Sequence, residues 1–545
     1  MSRRRRLQVS KTLPDRIVGW FSPTAGAQRM QARVAMAALE SYAGARRGRG
    51  PLREWGTLAA SADADTLPDL DTLRARARDL ERNDPLARSA VSTKVVNVIG
   101  AGHKVLPEID AKRLGLSAEA KEAWERDALA IWTMWADSRD CDITRTQTFA
   151  ELEATVYASR LSSGDILALR RYKRRPGGLL GTSCQLVEAD RLSNPDWQMD
   201  SDTLAGGVEM DADGAPIFYH VASKHTIDRS RTAKVEWKRI PAFGPDGRRL
   251  VLHIHGPRWR PDMTRYAPML APVIESLKQR SRYAEAELMA AVVSACFAVA
   301  MKSPEGMMSD GLAAATGEQG AAASDSIRLT EPGQIVDLAP DEQLQSFAPG
   351  RPNPGYEPFV TAIAREVGAG TDLPQELLLK HFQASYSASR AALEMAWQFF
   401  RVDRKHHVDQ FCRPFYADVI GEAVARGLLV APGFFTDPLV RAAWLGATWV
   451  GPGRPVLDPV KEATADRIEL ENRTTTRTRI AGRKGEDWEQ LEEQRSREDA
   501  RIAETVGPGT APAETAEATV QGAVAREIAQ AFADGDGSDT DIEEN

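Results

Sequence analysis

Residues 270–301, LAPVIESLKQRSRYAEAELMAAVVSACFAVAM, read as one long helix. At 1.5 Å per residue it is a rod of about 45 Å, and a rod of that length needs something to pack against. A bilayer is the first candidate. The most apolar run, LMAAVVSACFAVAM at 288–301, has 14 residues, whereas a membrane-crossing helix needs about 20. That leaves other helices, and the alanines on several faces of the later half let neighbours approach closely.

An excursion follows the rod. SDGLAAATGEQGAAASDS at 309–326 is low in complexity and predicts a mobile loop. Two strand-like pieces come next, IRLTEPGQIVDLAP and LQSFAPGRPNPGY, both interrupted by Pro and Gly. EPFVTAIAREVGAG then predicts a second, shorter helix, because the prolines before it let the chain reverse. Past a polar segment, HFQASYSASRAALEMAWQFFRVDRKHH, a helix of about 35 residues is expected from Ser387 to Gly421 or slightly beyond.

Upstream, helices are expected over 27–43, over DLDTLRARARDLERN, after Pro85 as far as Gly100, and over 117–137. In the last of these Trp124, Ala128, Ile131 and Trp135 form one apolar stripe. Residues 164–256 turn to strands: DILALRRY, SCQLVEAD, GVEMDADGAPIFYHV and RRLVLHIHG, with hairpin chemistry in the DADG turn at 211–214. A chain of 545 residues with this layout predicts two to four structural units.

Charge narrows the function. The formal net charge of -7 argues against a protein that grips nucleic acid over its whole surface, since such binding rests on many Lys and Arg contacts to phosphate. The ends differ: residues 1–80 carry 15 Lys and Arg against 8 acids, and residues 471–545 carry 9 against 18, which predicts solvated, partly disordered termini. Cys141, Cys184, Cys296 and Cys412 lie far apart without a CxxC pair, as suits a reducing compartment. The Arg run at 3–6 leads into no apolar core, so no signal peptide is read, and the chain is expected to be soluble and intracellular.

No motif demands chemistry. A hydrolase elbow reads GxSxG between strand and helix, and SYSASR has neither the glycines nor the strand. Ser385 and Ser387 are expected to cap a helix instead. His406 and His407 are adjacent and diverge by about 100° on a helix, so they share no metal. His253 and His255 fall on one strand face, expected to be an exposed one, without a third ligand at suitable spacing. Neither GxxxxGK[ST] nor GxGxxG after a strand occurs.

Four segments, in order, resemble the lambda-type portal proteins of tailed bacteriophages. They are ARARDLERNDPLARSAVSTKVVNVIGAG at 75–102, FAPGRPNPGYEPFVTAIAREVGAG at 347–370, HFQASYSASRAALEMAW at 381–397 and WVGPGRPVLDPVKEATADRIEL at 449–470. Where that family usually has Asp before the Phe and Asn before the Tyr of the third segment, this chain has His381 and Ser385.

The resemblance implies an α+β subunit with a mixed wing, two stem helices, a small α/β clip and a helical crown, assembled as a ring, usually of twelve copies, at one capsid vertex. Residues 1–70 are then a basic arm, partly disordered, and 71–269 the wing. Residues 270–301 are the first stem helix, 302–352 the clip, 353–370 the second stem helix and 371–390 the loop facing the channel. Residues 391–470 supply a long supporting helix and the rest of wing and crown, and 471–545 an acidic, partly disordered tail.

Such a ring nucleates heads with major capsid and scaffold proteins, docks the terminase large subunit, passes double-stranded DNA without reading it, and later receives a head–tail connector. No catalytic residue, metal or cofactor is implied. The expected place is the virion, with host cytoplasm during assembly, and no membrane. A ring that conducts DNA must not hold it, which fits a net negative subunit carrying only local positive groups. Lys380, His381 and Arg390 border the loop as candidates for transient phosphate contact, although Arg390 equally could pair within its own helix. Ser385, Ser387 and Ser389 offer weak, sequence-blind hydrogen bonds. Leu288, Ala291 and Ala295 are the candidate stem interface; Arg328, Glu331 and Arg351 are the candidate clip contacts for motor and connector. Two alternatives stand beside this reading: a capsid-associated serine hydrolase using Ser385 or Ser387, and a head–tail connector ring, which is usually a much shorter chain.

Overall fold

A computed structural model describes residues 13–25, 27–31, 59–225, 235–296, 300–302, 343–345, 353–382, 385–454 and 459–506. The chain divides into residues 1–65 and 66–545. In the first unit the described residues include a short helix, Leu13–Phe21. Most of the helix predicted over 27–43 lies outside the described residues.

In the second unit, α1 (Leu70–Asn83) and α2 (Pro85–Val98) occupy the predicted segments. Asp84 separates them and caps α2, its Oδ1 accepting the N–H groups of Leu86 and Ala87, while Pro85 sits where a helix needs no donor. Strand β1 (Lys104–Pro107) leads to α3 (Ala118–Ala136), capped by Ser117. The expected stripe of Trp124, Ala128, Ile131 and Trp135 is buried, and Trp132 joins it. Helix α4 (Phe149–Ser163) was not expected from periodicity, although Thr148 and Glu151 form a capping box at its start.

The strand region holds β2 (Asp165–Tyr172), β3 (Thr182–Val187), β4 (Leu204–Ala205), β5 (Val208–Met210), β6 (Pro216–Ala222), β7 (Trp237–Pro241) and β8 (Val251–His255). They form two antiparallel sheets, β3-β2-β8 and β4-β5-β6-β7. DADG closes the β5–β6 hairpin: Asp211 Oδ1 accepts from the Asp213 and Ala215 N–H groups, and Gly214 takes φ +79°. Leu167, Leu169, Val208, Tyr219 and Val251 pack together across these strands. His253 and His255 do not lie on an exposed face. His253, its side chain only 9% exposed, lies 3.3 Å from Asp165, and His255 stacks on Tyr266 at 3.9 Å.

Helix α5 (Ile274–Cys296) is shorter than the rod read from sequence, about 35 Å. A 3-10 turn, Ala271–Val273, holds Pro272 at its start. At the far end Ala300–Lys302 is not helix but β9, paired antiparallel with β10 (Gln343–Gln345), where Leu344 stands opposite Met301. A tertiary strand partner overrides helix propensity there. The excursion thus leaves and returns at one place. Then come α6 (Tyr356–Thr371), α7 (Gln375–Leu379), α8 (Tyr386–His407), a π turn at Val408–Cys412 and α9 (Arg413–Ala425), so the long helix is continuous and slightly longer than expected. Helix α10 (Pro438–Trp444) precedes β11 (Ala447–Val450), which pairs with β1 across more than 300 residues of sequence. Three further helices, α11 (Pro459–Glu471), α12 (Arg477–Lys484) and α13 (Trp488–Val506), carry regular structure into the segment where composition suggested disorder.

Two large cores hold this unit. One joins α3, α4, β2 and β8 to the π turn and α9 through Trp132, Trp135, Phe149, Phe411 and Phe415. The other joins α2, the base of α5, α6, α7 and α8 through Leu277, Val367, Leu378, Trp397 and Phe400. Among the described residues no helix is long and apolar enough to cross a membrane.

Candidate functional site

Among the described residues the α5–α6 pair packs most tightly at its base. At the base, Leu277 and Val367 are buried, and an added Cβ on Gly370 would meet Val273 Cγ1 at 2.4 Å, so glycine permits the close approach. Ser276 Oγ donates to Glu366 at 2.9 Å. Higher up, Tyr283 meets Phe359 edge to face with ring centres 4.6 Å apart. Beyond it the helix has little to lean on: Leu288 is 65% exposed, Met289 61% and Val292 50%, which makes a continuous apolar stripe. Ala291 is exposed beside that stripe, and Ala295 lies one turn on.

The segment 371–390 is only partly loop. Leu373 and Leu378 are buried, Asp372 and Lys380 take the left-handed conformation that ends α6 and α7, and Ser89 Oγ donates to the Leu378 carbonyl at 2.7 Å. The open part begins at Lys380. Lys380, His381, Ser385, Ser387 and Arg390 are all exposed, and Phe382 is 51% exposed beside them. Arg390 lies on the second turn of α8. Ser389 faces inward and is unavailable to a passing ligand.

Ser385 is the helix cap, its Oγ accepting the Ala388 N–H at 3.4 Å; Ser387 stands within the first turn of α8. Neither hydroxyl bonds to a histidine among the described residues, so no nucleophile–base pair is assembled. Arg328, Glu331 and Arg351 lie outside the described residues.

Helix α8 presents a second exposed apolar stripe, Met395, Phe399 and Val402, which sequence reading did not separate from the buried stripe of Ala396, Trp397 and Phe400. The i, i+4, i+7 spacing was there to be found, but the buried residues at i+1, i+2 and i+5 fill the same turns with apolar side chains. Behind α8, Asp403 bonds to Tyr157 Oη at 2.9 Å and Arg160 Nη2 at 2.6 Å, with Lys94 Nζ at 3.5 Å. Burial pushes the Asp403 carboxyl up, but Arg160 and Lys94 together hold it below the usual carboxylate range. The open segment is therefore backed by a helix fixed to α2 and α4.

Deeper in the same unit, Asp165 sits between Arg74 at 2.8 Å and Arg265 at 2.8 Å, and Arg265 also donates to the carbonyls of Ala189, Leu192 and Gly206. One turn past Asp403, His407 approaches His103, Glu153 and Cys412, all four buried, their donor atoms within 4.8 Å of one another. Residues separated by tens to hundreds of positions meet there, and no local motif announces them.

A family described as phage portal protein, lambda family, matches residues 48–404. The chain is similar to portal protein B of Escherichia phage lambda, 26% identical over 487 residues that cover 85% of this chain and 90% of that protein. It is equally similar to the portal protein of Escherichia phage N15, 26% identical over 483 residues covering 84% and 90%. Among solved structures, a chain in the neck of an empty gene transfer agent particle aligns over 77% of this chain and 93% of its own length, at 15% identity and a TM-score of 0.39.

Proposed function

The chain belongs to the lambda family of phage portal proteins, and on that premise we propose that it assembles head to tail into a closed ring whose α5–α6 stems surround a DNA channel. It is a structural component of the virion and not an enzyme. The observation that carries the ring is the stripe of Leu288, Met289 and Val292. A monomer has no reason to leave these side chains in water, whereas a heterologous interface covers one face of each subunit with a different face of the next. The α8 stripe of Met395, Phe399 and Val402 supplies a second surface for the same purpose.

In this reading residues 71–269 and much of 391–470 form the wing, 302–352 the clip, and the open segment from Lys380 to Arg390 the channel lining. Lys380, His381 and Arg390 then meet phosphates briefly, while the net charge of -7 on each subunit keeps the lumen from retaining the duplex. The clip, with Arg328, Glu331 and Arg351, faces the terminase motor and later the connector. Capsid and scaffold proteins contact the wing, in the host cytoplasm, as the head forms.

Negative-stain imaging of the purified full chain tests the proposal. Annular particles with a central hole are expected. A sample that stays monomeric at high concentration would overturn it, and so would compact particles without a hole.

A further inference from the structure

Four side chains that portal function does not use converge behind α8. His103 follows the turn after α2, Glu153 lies on α4, His407 ends α8, and Cys412 closes the π turn. The turn matters: its wider i→i+5 spacing brings His407 and Cys412 to one side of the helix. His103 Nδ1 is 2.5 Å from Glu153 Oε2, and His407 Nε2 is 3.8 Å from the same oxygen. The side chains of His103, Glu153 and His407 are at most 1% exposed. Cys412 is likewise buried.

The group is under-satisfied. Neither ring nitrogen of His407 has a hydrogen-bond partner among the described residues, and His103 Nε2 has none. A buried polar atom left unmade costs about 1–3 kcal/mol, so a core seldom keeps three together without a reason. An ion answers it. Bonds of about 2.0–2.3 Å at tetrahedral angles place donor atoms about 3.3–3.7 Å apart. The His407–Glu153 distance is already close to that, and His103 and Glu153 need only part by about 1 Å.

We propose that His103, Glu153, His407 and Cys412 bind one divalent transition-metal ion of the zinc type, as a closed structural site that clamps α8 and the π turn to α4. Two imidazoles, a carboxylate and a thiolate are a donor set such an ion takes, and soft sulfur disfavours magnesium and calcium. All four positions come from the protein, so no place remains for a reacting water. On binding, the Cys412 thiol proton leaves to solvent while His103 keeps its one ring proton on Nε2, and metal uptake weakens as pH falls.

The test uses the full chain, purified without chelator. Elemental analysis is expected to find about one zinc per subunit. After chelation, titration with cobalt(II) alone is expected to produce a thiolate-to-cobalt charge-transfer band, and zinc(II) is expected to abolish it. Cys412→Ala removes the band, and His407→Ala lowers bound metal at least about tenfold. Wild-type protein that binds no metal overturns the site, and so does cobalt binding without the charge-transfer band. Because wild-type readouts decide the matter, a variant that fails to fold does not shield the proposal. Ring formation is scored separately by imaging, so a ring without metal sinks this site while leaving the portal reading intact.

Discussion

Around Asp165, Arg74 and Arg265 are each 2% exposed or less and the carboxylate and carbonyls they bind lie inside the same unit, whereas Leu288 on the upper half of α5 is 65% exposed. The two regions lie in one chain and follow opposite rules. The strand body closes its own core and answers its buried charges with fixed opposite charges and carbonyls. The upper half of α5 leaves an apolar stripe in water, which the proposed ring would cover; burying one such side chain fully contributes about 1.5–3 kcal/mol. In the proposed ring, the body governs whether the subunit folds and the upper half of α5 whether subunits join.

The sharpest way to break this contrast is Asp165→Asn. It leaves two guanidinium groups buried without their carboxylate, with an expected loss of about 3–5 kcal/mol in the urea unfolding free energy. A loss below about 1 kcal/mol would mean that carbonyls alone suffice, and the body would no longer differ in kind from the stem. Ala291→Arg and Ala295→Arg probe the other side. Both are expected to abolish rings in light scattering and imaging, while unfolding of the body moves by no more than about 0.5 kcal/mol. Rings of normal size would place the interface elsewhere.

Acid separates the regions without mutation. Burial raises the Asp165 carboxyl, but Arg265 and Arg74 outweigh it and hold the group well below its ordinary range. Its folded value thus lies beneath an unfolded value near about 3.9, so the stabilisation is complete above about pH 5 and fades as pH falls through 4 toward the folded value. His255 adds to the same limb: burial lowers it to about 4, so its neutral form favours folding above the ordinary histidine range and that contribution fades as pH drops toward 4. Urea midpoints measured from pH 7 to pH 3 are expected to decline in the wild type, with a shallower acid limb in Asp165→Asn. Equal limbs in both would remove Asp165 as the cause.

The smallest effect belongs to the open segment. Arg390→Gln is expected to leave folding unchanged and to reduce the salt dependence of non-specific DNA binding by about one unit of slope per contacting residue. An unchanged slope would take Arg390 out of the channel lining. Ser385→Ala tests the cap and is expected to cost about 0.5–1 kcal/mol, with no loss of any hydrolytic activity because none is present.

What could be read early was local. The boundaries of α1, α2 and α3, the strand DILALRRY and the DADG turn follow from residues within a few positions of one another: a capping Asp84, a capping Ser117, an alternating or helical apolar pattern, a glycine at positive φ. The family resemblance was legible for the same reason, since its motifs are short runs. The far end of the rod was misread because strand pairing at Met301 depends on Leu344, a partner beyond any local window. His253 was misread because a strand's alternation tells which residues share a face, not whether Asp165 and Tyr266 cover it.

Sequence alone determined many of the helices, the DADG turn and the family, because propensity, capping and periodicity act over a turn or two of chain. Tertiary structure alone decided which charges are buried together, that β11 closes onto β1, and that His103, Glu153, His407 and Cys412 face one another. Those are meetings of residues far apart in sequence, fixed by packing two cores at once, and no short-range rule specifies them.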